Sequence, residues 1–384
     1  MRLAIFGLSI SSSWGNGHAT LWRGLCRALV AAGHEVTFFE RDVPWYANAR
    51  DWAAGPGAAG DLVLYADWSE ARPRVVRELR AADVAVVTSF CPDALAARDA
   101  ILDDGGPVPV FYDLDSPVTL ERLASGEDVP WVDGRGYADY SLVLSYAGGP
   151  VLAALEERLD AKSTAPLYGH VDPDVHRPVP KEPRYAADLC WLGTWAADRQ
   201  AALDRLFLAP ARAAPGRRFL IAGAQYPPDF PWGENVWFIP HLPPPEHAAF
   251  LCSARLALNV TRASMAATGW CPSGRLFEAS ACGATLLTDT WPGLEAFYRP
   301  GLEILTASAP EDTLAALARD DAELARIGRA ARERTLDEHT SAHRAGQLIA
   351  ALERAARNDA DRSPRRAARS PGEARRAATP VAGT

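Results

Sequence analysis

Residues 258–305, LNVTRASMAATGWCPSGRLFEASACGATLLTDTWPGLEAFYRPGLEIL, restrict the fold more tightly than any other stretch of the chain. Residues 256–259 form a short apolar run that reads as a strand. Ser273 can cap a short helix running through Arg275, Leu276, Phe277, Glu278 and Ala281, and Gly283 supplies a left-handed stop. Residues 284–288 read as a buried strand with Asp289 at its carboxyl end. A strand–helix–strand unit of this kind belongs to an open parallel sheet, whose ligands bind outside the carboxyl ends of the strands.

The polar residues of the unit gather at that edge. A helix start at Ser273 and Gly274 presents free amide N–H groups suited to an anion such as a pyrophosphate. Arg275 adds a fork of donors for phosphate oxygens. Glu278, three residues on, shares its helix face and could take the two hydroxyls of a ribose. An ordinary surface ion pair is the alternative for Arg275 and Glu278 taken by themselves.

The same alternation runs through the amino-terminal half. Strands are expected at residues 3–6, 35–40, 61–65, 84–88, 108–112 and 140–145. Helices are expected between them at 19–32, 72–81 and 92–103, and after them at 149–160. This order predicts a doubly wound, Rossmann-like domain to about residue 165. Residues 166–187, rich in Pro and Asp, read as an interdomain linker. A second domain is expected from 188 to 356, with strands at 218–223 and 236–240 and a helix at 245–253. Trp195, Asp198 and Arg199 follow its first strand, where a ligand could be contacted. Residues 311–356 read as helical. Residues 357–384 carry seven Arg against three acids, lack apolar periodicity and are expected to be a disordered basic tail.

Composition removes several classes. A net charge of −8 argues against a general nucleic-acid binder. Six scattered cysteines without a CxxC pair argue against a zinc cluster or a disulfide framework and favour a reducing cytoplasm. The first strand lacks the features of a signal peptide, and no apolar run is long enough to span a bilayer; peripheral membrane contact stays open. Gly15-Asn-Gly17 is followed by His18-Ala-Thr20, so the dinucleotide fingerprint G-x-G-x-x-G is absent. His170 and His176 lie six residues apart in the linker. The flanking prolines favour an irregular loop and no third ligand is evident, so no metal is expected.

SGRLFEASACGATLLTD followed by WPGLEAFYRPGLEIL resembles the carboxyl-terminal domain of two-domain GT-B glycosyltransferases, most nearly the CgeB-like (spore-maturation-type) group. The resemblance covers roughly residues 1–350 and includes the linker and YDLDSPVTL at 112–120. It implies two Rossmann-like domains facing a cleft, with acceptor on the first, a sugar nucleotide on the second, and terminal helices that cross back over the first. It also implies that Glu278 holds the nucleotide ribose and that Arg262 and Arg275 hold the diphosphate. Gly269, Ser273, Asp289 and Trp195 complete the expected donor side. Retaining members often carry a second Glu eight residues before the ribose-binding one, where this chain has Trp270.

The loop at residues 11–18, SSSWGNGH, resembles the Gly-His of several inverting members, in which the histidine removes the acceptor proton. An imidazole suits that work because its pKa lies near neutrality. Asp113 or Asp115 could fix its tautomer from the end of a neighbouring strand. Capping of the helix or phosphate binding by His18 are the alternatives. The expected activity is transfer of a sugar, of the hexosyl class, from a nucleotide-diphosphate donor to an acceptor hydroxyl. The expected mechanism is inverting and requires neither metal nor cofactor, because arginines and helix amides can carry the leaving diphosphate's charge. A sugar-nucleotide epimerase and a non-catalytic sugar-nucleotide binder are the rival functions. The sugar, base and acceptor are not legible.

Overall fold

The computed structural model describes residues 1–52, 59–103 and 106–362. Seven strands form the first sheet: β1 (Arg2–Gly7), β2 (Glu35–Arg41), β3 (Asp61–Tyr65), β4 (Val84–Thr88), β5 (Val108–Asp113), β6 (Leu142–Ser145) and β7 (Thr164–Pro166). Six form the second: β8 (Ala187–Leu192), β9 (Phe219–Gly223), β10 (Val236–Pro240), β11 (Ala254–Asn259), β12 (Leu286–Thr288) and β13 (Leu305–Thr306). The spatial orders are β3-β2-β1-β4-β5-β6-β7 and β10-β9-β8-β11-β12-β13, and every pairing is parallel. The strand order therefore reverses at the β1/β4 boundary in one sheet and at β8/β11 in the other. Loops part at those two points and leave room for a ligand.

Both sheets are covered on both faces, which explains their near-continuous apolar strands. Along β1, Leu3 and Ile5 pack on one side while Ala4 and Phe6 pack on the other. In the second sheet Leu256 and Leu258 oppose Ala257 in the same way.

The final helix, Ser341–Arg362, returns to the first domain. Its Ala345, Leu348, Leu352 and Ala355 fall on one stripe and join the core that holds Leu3, Leu25 and Val86. Burying each leucine contributes about 1.5–3 kcal/mol. The helix runs past residue 356, and Asp359 accepts a hydrogen bond from Ser141 Oγ at 2.6 Å. The expected tail thus begins at least six residues too early, because residues 357–362 continue a helix anchored upstream by that stripe. Residues 363–384 lie outside the described residues.

Other differences are local. The expected helix at 72–81 begins earlier, at Trp68, since Asp67 caps it by accepting from Ser69 N. The helical stretch expected at 311–356 is three helices, Pro310–Leu317, Asp321–Glu338 and Ser341–Arg362. Helices at Ser116–Ala124, Ala197–Leu203 and Ala263–Thr268 were not expected. Among the described residues no helix is long and apolar enough to cross a membrane.

Candidate active site

A cavity of about 930 Å³ lies between the carboxyl edges of the two sheets. Its first wall is the loop after β1. Glu40, fully buried at the end of β2, gathers that loop. Its carboxylate accepts from Ser9 Oγ (2.9 Å), Ile10 N (2.8 Å), Ser11 N (3.0 Å) and Ser11 Oγ (2.6 Å). Asn16 donates to Ser9 O and Ser12 O and accepts from His18 N at 3.0 Å. Such charge-assisted bonds fix the loop before any ligand arrives. The result is that His18 opens the helix His18–Ala31 and faces the cavity.

His18 Nε2 lies 3.9 Å from Asp115 Oδ2, and its Nδ1 is buried with no hydrogen-bond partner among the described residues. Burial, reinforced by the Arg262 guanidinium, lowers the imidazole to about 4, so it is neutral at pH 7 but a weaker base than the near-neutral imidazole the sequence leads one to expect. Burial raises Asp115 to about 6 against the pull of Arg262 and Arg199. Asp113 does not face the cavity. It accepts from Asp115 N (3.0 Å), Thr119 Oγ1 (3.2 Å) and Tyr137 Oη (3.0 Å) beneath the strand end. Of the two aspartates only Asp115 is within reach of His18, because Asp113 is turned into the core by these three donors.

The second wall comes from the Gly274–Ala281 helix. Ser273 caps it, accepting from Arg275 N at 3.1 Å and donating to Asn259 Oδ1 at 2.9 Å. Arg275 Nη1 stands 2.6 Å from Glu278 Oε2, and both side chains are largely buried in the cleft wall, so the pair is not an exposed surface ion pair. Burial would raise Glu278, but Arg275, then His176 and His247, hold it down at about 2. Thr20 Oγ1, from the first domain, reaches Glu278 Oε1 at 3.5 Å and marks how closely the walls approach.

Arg262 and Trp195 also line the cavity, Arg262 paired with Asp198 at 3.0 Å and Trp195 donating to Gln200 at 2.8 Å. Arg199 joins them, with its guanidinium 5.8 Å from the Trp191 ring centroid and its Nε unpartnered among the described residues. Two expected residues do not line the cavity. Asp289 accepts from Thr261 N and Thr261 Oγ1, both at 3.0 Å, and so holds the turn that carries Arg262. Gly269 has φ +73°, and a Cβ there would stand 2.4 Å from Pro292 O. Trp270 does not line the cavity either. Its carbonyl accepts from Gly148 N of the first domain at 2.9 Å, and its ring covers Gly149 and Gly293.

Sequence reasoning missed Glu40, which reads as one more polar residue at a strand end. It also missed His247, whose meeting with His176 depends on the packing of a helix against the linker.

Residues 199–350 match the family model described as "Glycosyl transferase-like". A search of curated protein sequences gave no match. Among solved structures the chain is similar to a sucrose-phosphate synthase from Thermosynechococcus elongatus, with a TM-score of 0.66, 16% identity, and 92% of this chain and 99% of that one covered. It is similar to HepE from Anabaena in complex with UDP and glucose, with a TM-score of 0.62, 13% identity and coverage of 92% and 99%. An alpha-glucosyltransferase in complex with UDP-glucose and DNA containing an abasic site gives a TM-score of 0.66, 12% identity and the same coverage of 92% and 99%. The expected architecture is borne out: the chain has the two-domain GT-B fold, and its residues 199–350 match the glycosyl transferase-like family model.

Proposed function

We propose that the protein transfers a sugar from a nucleotide-diphosphate sugar to an acceptor hydroxyl. One observation carries the reading: His18 with Asp115 and Arg275 with Glu278 face the same cavity from opposite domains. Glu278, charged and oriented, accepts from the ribose hydroxyls. Arg275, Arg262 and Arg199 surround the diphosphate, whose negative charge grows as the sugar–oxygen bond breaks. The neutral His18 takes the acceptor's proton as its oxygen attacks the anomeric carbon, and Asp115 stabilises the imidazolium that forms. The bonding pair leaves with the diphosphate.

Inversion belongs to this reading because Trp270 occupies the place where retaining relatives often have a carboxylate. Metal independence belongs to it because three guanidinium groups supply the positive charge. Likeness to the CgeB-like group rests on the 273–305 motif, and a cytoplasmic location on the scattered free cysteines. UDP and UDP-glucose, named in complexes of the similar structures, are the first donors to try.

The test is a sugar-nucleotide panel followed by turnover measurements on the donor selected. His18→Ala is expected to lower turnover by ~10²–10⁴ with donor affinity nearly unchanged. The product anomer, read from NMR coupling constants, should be opposite to the donor's. Retained configuration, or near-normal turnover of His18→Ala, would remove His18 from the role of base. Conversion of donor without any acceptor would favour an epimerase.

A further inference from the structure

Behind the Arg275–Glu278 pair sit two histidines that the proposed sugar transfer does not use. His176 comes from the linker and His247 from the helix Pro244–Ser253. Their ligating nitrogens and a Glu278 oxygen all lie within 4.8 Å of one another. Both imidazoles are nine-tenths or more buried, at 3% and 9% exposure, and both line the cavity. His176 Nε2 and His247 Nδ1 have no hydrogen-bond partner among the described residues. Buried polar atoms of this kind are rare and ask for a partner.

The chemistry of that partner follows from the tautomers. His247 Nε2 lies 3.1 Å from Leu242 O. A carbonyl only accepts, so Nε2 carries the proton and Nδ1 presents a lone pair. Glu278 Oε1, 4.0 Å from His176 Nε2, also only accepts, while Arg275 occupies Oε2. In the tautomer of His176 that carries its proton on Nδ1, the Nε2 lone pair converges with those of His247 Nδ1 and of Glu278 Oε1, which otherwise receives among the described residues only a long contact from Thr20 Oγ1 at 3.5 Å. Such lone pairs share a Lewis acid well, and two imidazoles with one carboxylate suit a borderline cation such as zinc. Small side-chain rotations would bring them to the ~3.3 Å separation of ligands around a tetrahedral ion. His170, the other linker histidine, lies outside this set of mutually close groups, and its Nδ1 meets Ser341 Oγ at 2.9 Å.

We infer that His176, His247 and Glu278 form a binding site for a divalent transition-metal ion of the zinc type, open to the cleft. Arg275 opposes the ion's charge, so the site is exchangeable rather than a closed structural one. An ion here would take the carboxylate oxygen that the donor reading assigns to the ribose, making metal and nucleotide mutually exclusive. That consequence rests on the donor reading; the metal site itself does not.

The test titrates Co²⁺ into full-length, metal-stripped protein with no nucleotide present. The expected result is a saturable one-to-one visible ligand-field absorption without a near-ultraviolet thiolate band, and its loss on adding Zn²⁺. His176→Ala and His247→Gln should each weaken Co²⁺ binding by roughly 10–100-fold, with folding checked by circular dichroism. Absence of the visible band would overturn the inference and leave the cluster a hydrogen-bonding one. So would a thiolate band, which reports cysteines such as Cys252, or affinity unchanged in a folded His176→Ala protein.

Discussion

At the scale of single residues, hydrogen bonding separates groups that look alike in the sequence and are both buried. Asp113 and Asp115 are two positions apart, yet one is tied by three donors and the other faces His18. Asp113→Ala should therefore destabilise the fold by about 2–4 kcal/mol, read from denaturant unfolding, because it strands buried donors. Asp115→Asn should act in the opposite sense at neutral pH. The Asp115 carboxyl titrates at about 6 when folded against an ordinary 3.8, so above pH 6 its charge is present in both states and costs stability in the folded one. Below about pH 4 both states are protonated and the cost vanishes. Asp115→Asn is thus expected to melt higher than the native protein at pH 7.5, with the advantage fading between pH 6 and 4, while turnover falls. A lower melting temperature across that whole range would mean that Asp115 is a structural carboxylate.

At the scale of elements, stability is concentrated where one helix serves two domains. Leu352 is fully buried against the first sheet from a helix that begins beside the second domain. Leu352→Ala should cost about 2–5 kcal/mol and lower the unfolding midpoint without altering donor contacts. The strands were legible because parallel, doubly covered sheets demand continuous apolar runs, such as Val84–Thr88. The donor helix was legible because Ser273 and Gly283 mark its ends. Helix Ser116–Ala124 was not, although Pro117 sits in the first helical turn, where proline is favoured. The limit of the final helix was hidden as well. Residues 357–362 have no apolar pattern of their own and are helical by continuation from Leu348 and Leu352. Of the site, the Gly-flanked His18 and the Arg275–Glu278 pair after the capped helix start could be read. Glu40 and His247 could not, because their roles come from contacts across 31 and 71 residues, to Ser9 and to His176.

At the scale of the molecule, the two sheets place their switch points across one cleft, and fixed contacts set its width. Trp270 fills the space over Gly149, which has φ +61° and would bring a Cβ to 2.4 Å from the indole. Gly149→Ala should therefore loosen the domain contact and destabilise the protein by about 1–3 kcal/mol in denaturant unfolding. On the proposed reading, the cleft so formed offers its guanidinium groups to a diphosphate and the Glu278 carboxylate to a ribose. Calorimetric titration of nucleoside diphosphates into the native protein and Glu278→Ala tests this most directly. We predict that a diphosphate binding the native protein binds folded Glu278→Ala ~10–100-fold more weakly, from loss of charge-assisted hydrogen bonds. Equal affinity in the two proteins would contradict it.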